Sequence, residues 1–223
     1  MADEQHPVIW LRPEQSPVGR RAERSRAEIT AAAVEIADRE GLDAVSMRRV
    51  AADLGTGAAS LYRYVATRDE LLDLMVDSTG GEYRLAAPRG DWPRDLLDVA
   101  RQAREIMRRH PWLPALVVTR PVLGPRGADV LEHVLDVLSD HPATPARKLE
   151  AFALLSGLPA LFVQHERAEA DAGAARQAVY LQHVAAGGGH PNVAALLAST
   201  PAGDDSRELF DVVVANALAG VLS

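Results

Sequence analysis

Two tetrads constrain this chain more than any other feature. In Ser25-Arg26-Ala27-Glu28, and again in Thr67-Arg68-Asp69-Glu70, a hydroxyl oxygen can accept from a backbone N–H three residues on while the glutamate reaches back. Each tetrad is therefore a capping box, satisfying donors that a helix start leaves open. Apolar residues follow at helical spacing: Ile29, Ala33, Ile36 and Ala37 after the first box, Leu71, Leu74 and Met75 after the second. The first stripe stops at Gly41, a residue type that ends helices. Almost nothing alternates with period two, so the expected fold is all-α.

Further helices can be placed along the chain. After a loop from Leu85 to Gly90, helical spacing resumes through Trp92, Leu96, Val99, Ala103, Ile106 and Met107. Pro111, Pro114 and Pro121, with Gly124 and Gly127, restrict the middle to a short helix around 112–118 and a loop. Helices are expected over 129–138, 147–170 and 206–222, and Pro159 should kink the second of these. The Ala/Gly-rich stretch 171–204 should hold one or two weak helices. Pro7, Pro13 and Pro17 make residues 1–19 read as a mobile leader despite Trp10 and Leu11. The expected division is this leader, a three-helix unit over 20–66, and a larger helical part over 67–223, joined to the unit by the helix that starts at 67.

Composition excludes several classes of chemistry. With no cysteine among 223 residues, disulfides, thiolate zinc sites and thiol redox sensing are out. Only Glu132, His133 and Asp136 gather at helical spacing, read as a solvated face, so no metal and no cofactor is expected. A G-x-S-x-G elbow, a phosphate-binding Walker loop and a dinucleotide fingerprint are all missing. The longest apolar run, Ala151 to Val163, falls short of the roughly 20 residues a membrane span needs. The N-terminus carries Asp3 and Glu4 and no long apolar stretch, so no secretory signal is read. The expectation is a soluble, cytoplasmic chain. Its formal net charge of −7 supplies no general positive field toward nucleic acid.

Between the two capping boxes lies the stretch that points to function. Val50, Ala51, Leu54, Gly55 and Leu61 are spaced as a helix-turn-helix requires: Ala51 is small where two helices cross, Gly55 takes the left-handed turn, and the others close a small core. The second helix, over 58–64, would then present its polar residues to a major groove. The run from Leu42 to Asp77, with Leu61-Tyr62-Arg63-Tyr64 and the Arg68-Asp69-Glu70-Leu71-Leu72 sequence, resembles the DNA-binding domain of TetR-family transcriptional regulators over residues 20–76.

The resemblance implies double-stranded operator DNA as partner. Tyr62 and Tyr64 resemble the family's aromatics that grip the DNA backbone, Arg68 its phosphate-binding lysine at a helix start, and Ser46 caps the preceding helix in similar fashion. Arg48 and Arg63 are candidate base readers, since a guanidinium can bind guanine at two atoms, and Ala59 and Ser60 share their face. Three positions depart from the family pattern: Tyr64 where histidine is common, Thr56 where an apolar residue is common, and Ala58-Ala59, which leave the recognition helix few polar side chains. Arg20, Arg21, Arg24 and Arg26 form either a DNA-contacting arm or a solvated cluster. From Arg20 to Val65 there are 8 arginines against 7 acidic residues, so affinity must come from placement rather than bulk charge.

From about Trp92 onward the chain is similar to the tetracycline-repressor type of C-terminal domain, anchored on His110-Pro111-Trp112 and Thr119-Arg120-Pro121. That resemblance implies a ligand-responsive homodimer, paired through the helices near 147–170 and 206–222. The last helix is apolar on more than one face, which suits a dimer seam or a central core helix. Val99, Ala103, Met107, Trp112, Leu116, Phe152, Leu155 and Phe162 are candidate pocket walls or simple core. Leu116 stands where the tetracycline repressor has a metal-ligating histidine and Val99 where it has an amide, so the expected effector is small, apolar or amphipathic, and bound without magnesium. The reading is a ligand-released repressor on a palindromic operator and not an enzyme. A small α-helical enzyme and a helical interaction module without DNA binding are the alternatives.

Overall fold

The computed structural model describes residues 8–12, 24–120, 123–169, 172–199 and 206–223. Among these it is all-helical, with no strand. Helix α1, Arg26–Glu40, begins at the first capping box with both reciprocal bonds formed and ends at Gly41. A 3-10 turn, Leu42–Ala44, leads to α2, Met47–Asp53, capped by Ser46, and then to α3, Ala58–Leu61. Between them Gly55 has φ +65°, the left-handed turn expected of it. Expected to run to Tyr64, the second helix instead ends at Leu61, and Tyr62–Tyr64 form a turn.

Helix α4, Arg68–Gly80, opens at Thr67, whose hydroxyl accepts from the Glu70 N–H. The Glu70 carboxylate reaches one residue further back than a standard box, to the Ala66 N–H. Four further helices follow to Glu169: α5, Trp92–Arg109, α6, Leu113–Thr119, α7, Pro125–Val137, and α8, Pro145–Glu169, with α8 running continuously through Pro159. The Ala/Gly-rich stretch forms α9, Ala172–Ala186, and α10, Pro191–Ser199, which pack on each other. Helix α11, Ser206–Leu222, closes the chain against α5 and α8.

Two apolar cores organise these helices. The first joins α1 to α4 with Ile106, Met107, Trp112, Leu113, Leu116, Ala160 and Val163, so the N-terminal unit continues into the larger part without a break. The second holds Leu96, Val134, Leu155, Phe210 and Leu218 among α5, α7, α8 and α11. The expected mobile leader needs correction: Ile9–Leu11 form a 3-10 turn with Ile9 buried in the first core. The remainder of that leader, 1–7 and 13–19, and also Arg20 and Arg21, lie outside the described residues.

Candidate functional site

The helix-turn-helix presents one exposed face. Ser46 and Arg48 are exposed at the start of α2, and the Ser46 oxygen is occupied by the Arg49 N–H at 3.2 Å. On α3 Ala59 is exposed, while the Ser60 hydroxyl donates to the Gly57 carbonyl at 2.7 Å and pairs with the Thr56 hydroxyl at 2.9 Å. Thr56, an unusual turn residue on sequence grounds, thus pins the first turn of α3. In the turn after α3, Tyr62 is 51% exposed and Arg63 points outward, its guanidinium 5.9 Å from the Tyr64 ring. Arg68 is exposed at the start of α4, where it donates to the carbonyls of Val45 at 3.0 Å and Leu42 at 3.3 Å, bracing the approach to α2.

Tyr64 departs from expectation. Its side chain is 2% exposed and belongs to the first core, so its ring supports the turn from beneath and is not presented to a phosphate. The two tyrosines lie on either side of Arg63 in a tight turn, which sends one outward and one inward. Of the arginine cluster around the start of α1, Arg24 donates to the Leu54 carbonyl at 2.6 Å and Arg26 to the Tyr64 carbonyl at 3.0 Å, so both brace the unit from within.

A cleft of about 550 Å³ opens between α4, α6, α7 and α8. Val76, Val117, Val130, Leu131, Phe152 and Gly157 supply much of its apolar wall, and Asp77, Thr79, Tyr83, Arg120 and Ser156 its polar groups. Burial pushes the Tyr83 phenol above its ordinary value, so it stays neutral and able to donate. The Arg120 guanidinium is paired with Asp69 and Asp73 at 3.0 and 2.9 Å. Of the eight wall residues expected, only Phe152 lines the cleft. Val99, Met107, Trp112, Leu116 and Leu155 are buried in the two cores, Ala103 is buried as well, and Phe162 packs edge-on to Phe210 at 5.1 Å. Beside the cleft α4 and α7 approach closely at Gly80, where a Cβ would fall 2.8 Å from the Arg126 Cβ. Among the described residues no cluster of His, Asp and Glu suits a metal ion, and no helix is long and apolar enough to cross a membrane.

Residues 29–75 match the family described as bacterial regulatory proteins, tetR family, and residues 86–223, more than half of the chain, match the tetracyclin repressor-like C-terminal domain. The chain belongs to the TetR family. It is 44% identical over 131 residues to the HTH-type transcriptional repressor DrrR1 of Streptomyces coeruleorubidus, covering 58% of this chain and 48% of that one. An HTH-type transcriptional regulator of Saccharopolyspora erythraea is 37% identical over 133 residues, covering 59% of this chain and 56% of the other. The matched region thus spans about half the length of these curated relatives. Apo ActR from Streptomyces coelicolor has a similar structure, with TM-score 0.77 and 31% identity over 89% of this chain and 97% of ActR. ActR has also been seen with (S)-DNPA and with actinorhodin, at TM-scores of 0.77 and 0.74. The TetR-family relatives are transcriptional regulators, not enzymes.

One cluster in this TetR-family chain ties the helix-turn-helix unit to the larger part, and sequence reading did not assemble it. The His110 ring, 8% exposed, sits between two carboxylates, with Nδ1 2.8 Å from Asp38 on α1 and Nε2 2.7 Å from Glu82 beyond α4. The Trp112 indole N–H donates to the same Asp38 oxygen at 2.7 Å. Partial burial pushes the Glu82 carboxyl up, but hydrogen bonds from Arg109 and His110 outweigh it and hold the group below its ordinary value. The His110-Pro111-Trp112 signature was visible; its partner Asp38, 72 residues earlier, was not.

Proposed function

We propose that this TetR-family chain is a repressor that binds a palindromic operator as a homodimer and is released when a small apolar or amphipathic organic effector fills the cleft between α4, α6, α7 and α8. The observation that carries the reading is that α4 is shared. It starts five residues after Arg63 and, through Val76 to Gly80, forms a wall of the cleft. Any occupant that favours one placement of α4 also favours one placement of the helix-turn-helix, which is the differential affinity that release requires.

Supporting observations come from three directions. The cleft volume falls in the usual range for small-molecule sites. ActR, similar along nearly its whole length, is known with two small molecules bound, and DrrR1 is named a repressor. Leu161 on α8 and Leu209 and Val212 on α11 are 60, 48 and 51% exposed in a single chain, an apolar surface suited to pairing α8 and α11 with their symmetry mates. In this reading Tyr62 and Arg68 contact phosphates, Arg48 and Arg63 read bases, Ser46, Ala59 and Ser60 line the contact face, and Tyr64 acts from the core. The protein works in the cytoplasm, where its DNA is.

The test is selection of DNA fragments from a random pool by the purified protein, followed by gel shift of the recovered fragments with a panel of small aromatic compounds. A palindromic consensus, and at least one compound that abolishes the shift, are expected. Recovery of no consensus above background refutes operator binding, and turnover of a bound compound refutes the regulator reading of the cleft.

A further inference from the structure

The segment Val8–Arg12 is anchored at both of its ends and to two parts of the molecule. Ile9 is buried in the first core, and Arg12 forms a two-pronged pair with Glu70 on α4 at 3.0 and 2.8 Å. Arg26, at the start of α1, donates from Nη1 to the carbonyls of Ile9 at 3.0 Å and Arg12 at 2.8 Å. The same guanidinium donates from Nε to the carbonyl of Tyr64, in the turn that closes the recognition helix, at 3.0 Å. Trp10 reaches the other way. A Cβ built on Gly124 would fall 2.5 Å from Trp10 Cζ2 and 2.4 Å from the Asp77 carboxylate, so indole, carboxylate and the start of α7 leave no spare volume between them. Asp77, Leu123 and Gly127 are wall residues of the cleft, and Asp77 accepts from the Gly127 N–H at 2.9 Å.

We propose that Arg26 and Trp10 are positioning residues for DNA recognition, and that Val8–Arg12 is a strap tying the wall of the effector cleft to the turn after the recognition helix. Trp10 follows the start of α7, and Arg26 converts the position of the strap into the position of the Tyr64 carbonyl. Glu70 adds a parallel route, because its carboxylate holds both Arg12 and the Ala66 N–H, the latter at 2.6 Å. Arginine suits the task because its planar fork can hold three carbonyls in fixed directions, which an ammonium on a flexible stem cannot. The proposal rests on the reading of the cleft as the effector site. An occupant that shifts Asp77 or the corner from Leu123 to Gly127 shifts Trp10 with it.

The experiment uses the full chain without effector. Amide hydrogen exchange, thermal melting and affinity for DNA selected by the wild-type protein are measured for Gly124→Ala, Trp10→Ala, their double variant, Arg26→Lys and Trp10→Phe. Gly124→Ala, which pushes a methyl into the strap, and Arg26→Lys should each speed exchange over Leu61–Ala66 by about tenfold and weaken binding to the selected DNA by a similar factor. In the Trp10→Ala background, where the methyl still meets the Asp77 carboxylate but no longer the strap, Gly124→Ala should add less than about threefold to exchange over Leu61–Ala66. Trp10→Phe, which keeps a ring against Gly124, should restore most of the protection. Effects of Gly124→Ala and Trp10→Ala that multiply independently overturn the strap, as does a fall in melting temperature with exchange over Leu61–Ala66 unchanged. Arg26→Lys leaves the cleft wall untouched and decides the grip on Tyr64 even where Gly124→Ala does not fold. If the wild type selects no DNA, the regulator reading fails, while the exchange measurements still decide the strap.

Discussion

Replacing Asp38 with alanine should destabilise the protein by about 2 to 4 kcal/mol, and the structure supplies both parts of that figure. The Trp112 indole N–H, on a residue 5% exposed, has the Asp38 oxygen as its acceptor at 2.7 Å. Removing the acceptor leaves a buried donor unpaired, at about 1 to 3 kcal/mol. His110 loses the partner of Nδ1 but keeps Glu82 on Nε2 at 2.7 Å, and the Asp38 side chain is 31% exposed so water can partly replace it. That loss adds about 1 kcal/mol. For a chain of this size the sum lowers the melting temperature by roughly 5 to 15 °C. Asp38→Asn keeps an oxygen for the indole and should lose about half as much. Urea titration followed by circular dichroism measures both. Because Asp38 is on α1 and His110 and Trp112 are at the α5 to α6 corner, the alanine variant should also hold its DNA less responsively, needing more effector for release. An alanine variant within about 0.5 kcal/mol of wild type would refute the argument that this carboxylate joins the two parts.

Four further outcomes are expected. Arg63→Ala should cost about 1 to 3 kcal/mol at one base position, whereas Arg68→Ala should weaken all sequences alike and lower the salt slope, both read by salt-controlled titration on the selected DNA. Gly157→Leu should hold or raise stability, since helical glycine is unfavourable and a Cβ there meets nothing within 4 Å, yet it fills the cleft and should abolish release while DNA binding persists. Leu161→Glu combined with Val212→Glu should turn a dimer into a monomer by sedimentation and remove operator binding. Stability should also fall in acid: the Asp95 and Glu166 carboxyls are pushed up by partial burial but held below their ordinary values by hydrogen bonds from Arg89, and from Arg108 and Arg104, respectively. Depressed carboxyls contribute fully above the usual carboxylate range near pH 4 and lose that contribution as pH falls through their folded values. Glu166→Gln should therefore melt with a shallower pH dependence below about pH 4 than wild type.

What could be read directly from residues was local. The capping box at Ser25, the Thr67 cap, Gly41 as a stop, and the final helix over 206–222 appear where the spacing put them, because a cap or an apolar stripe is satisfied within a few residues of chain, although the Glu70 carboxylate closes on Ala66 and not on Thr67. The shortened α3 was less legible: Leu61 to Tyr64 continues a helical pattern, but the chain turns there so that Leu61, Tyr64 and Val65 can all enter the first core. Wall residues of the cleft could not be separated from core residues, since both are apolar at helical spacing. Phe152 and Leu155 are one turn apart on α8, and only the first faces open volume.

By itself the sequence determined an all-α chain with a capped helix-turn-helix ahead of a larger helical part, and the absence of thiol chemistry. Tertiary structure alone decided where empty space lies, which of Tyr62 and Tyr64 faces out, and that Val8–Arg12 is docked through Ile9 and Trp10. The physical reason is range. Backbone hydrogen bonds and helical periodicity close within one or two turns, whereas a cavity, a buried ring or the approach of Trp10 to Gly124 depends on how helices distant in sequence come to rest on one another.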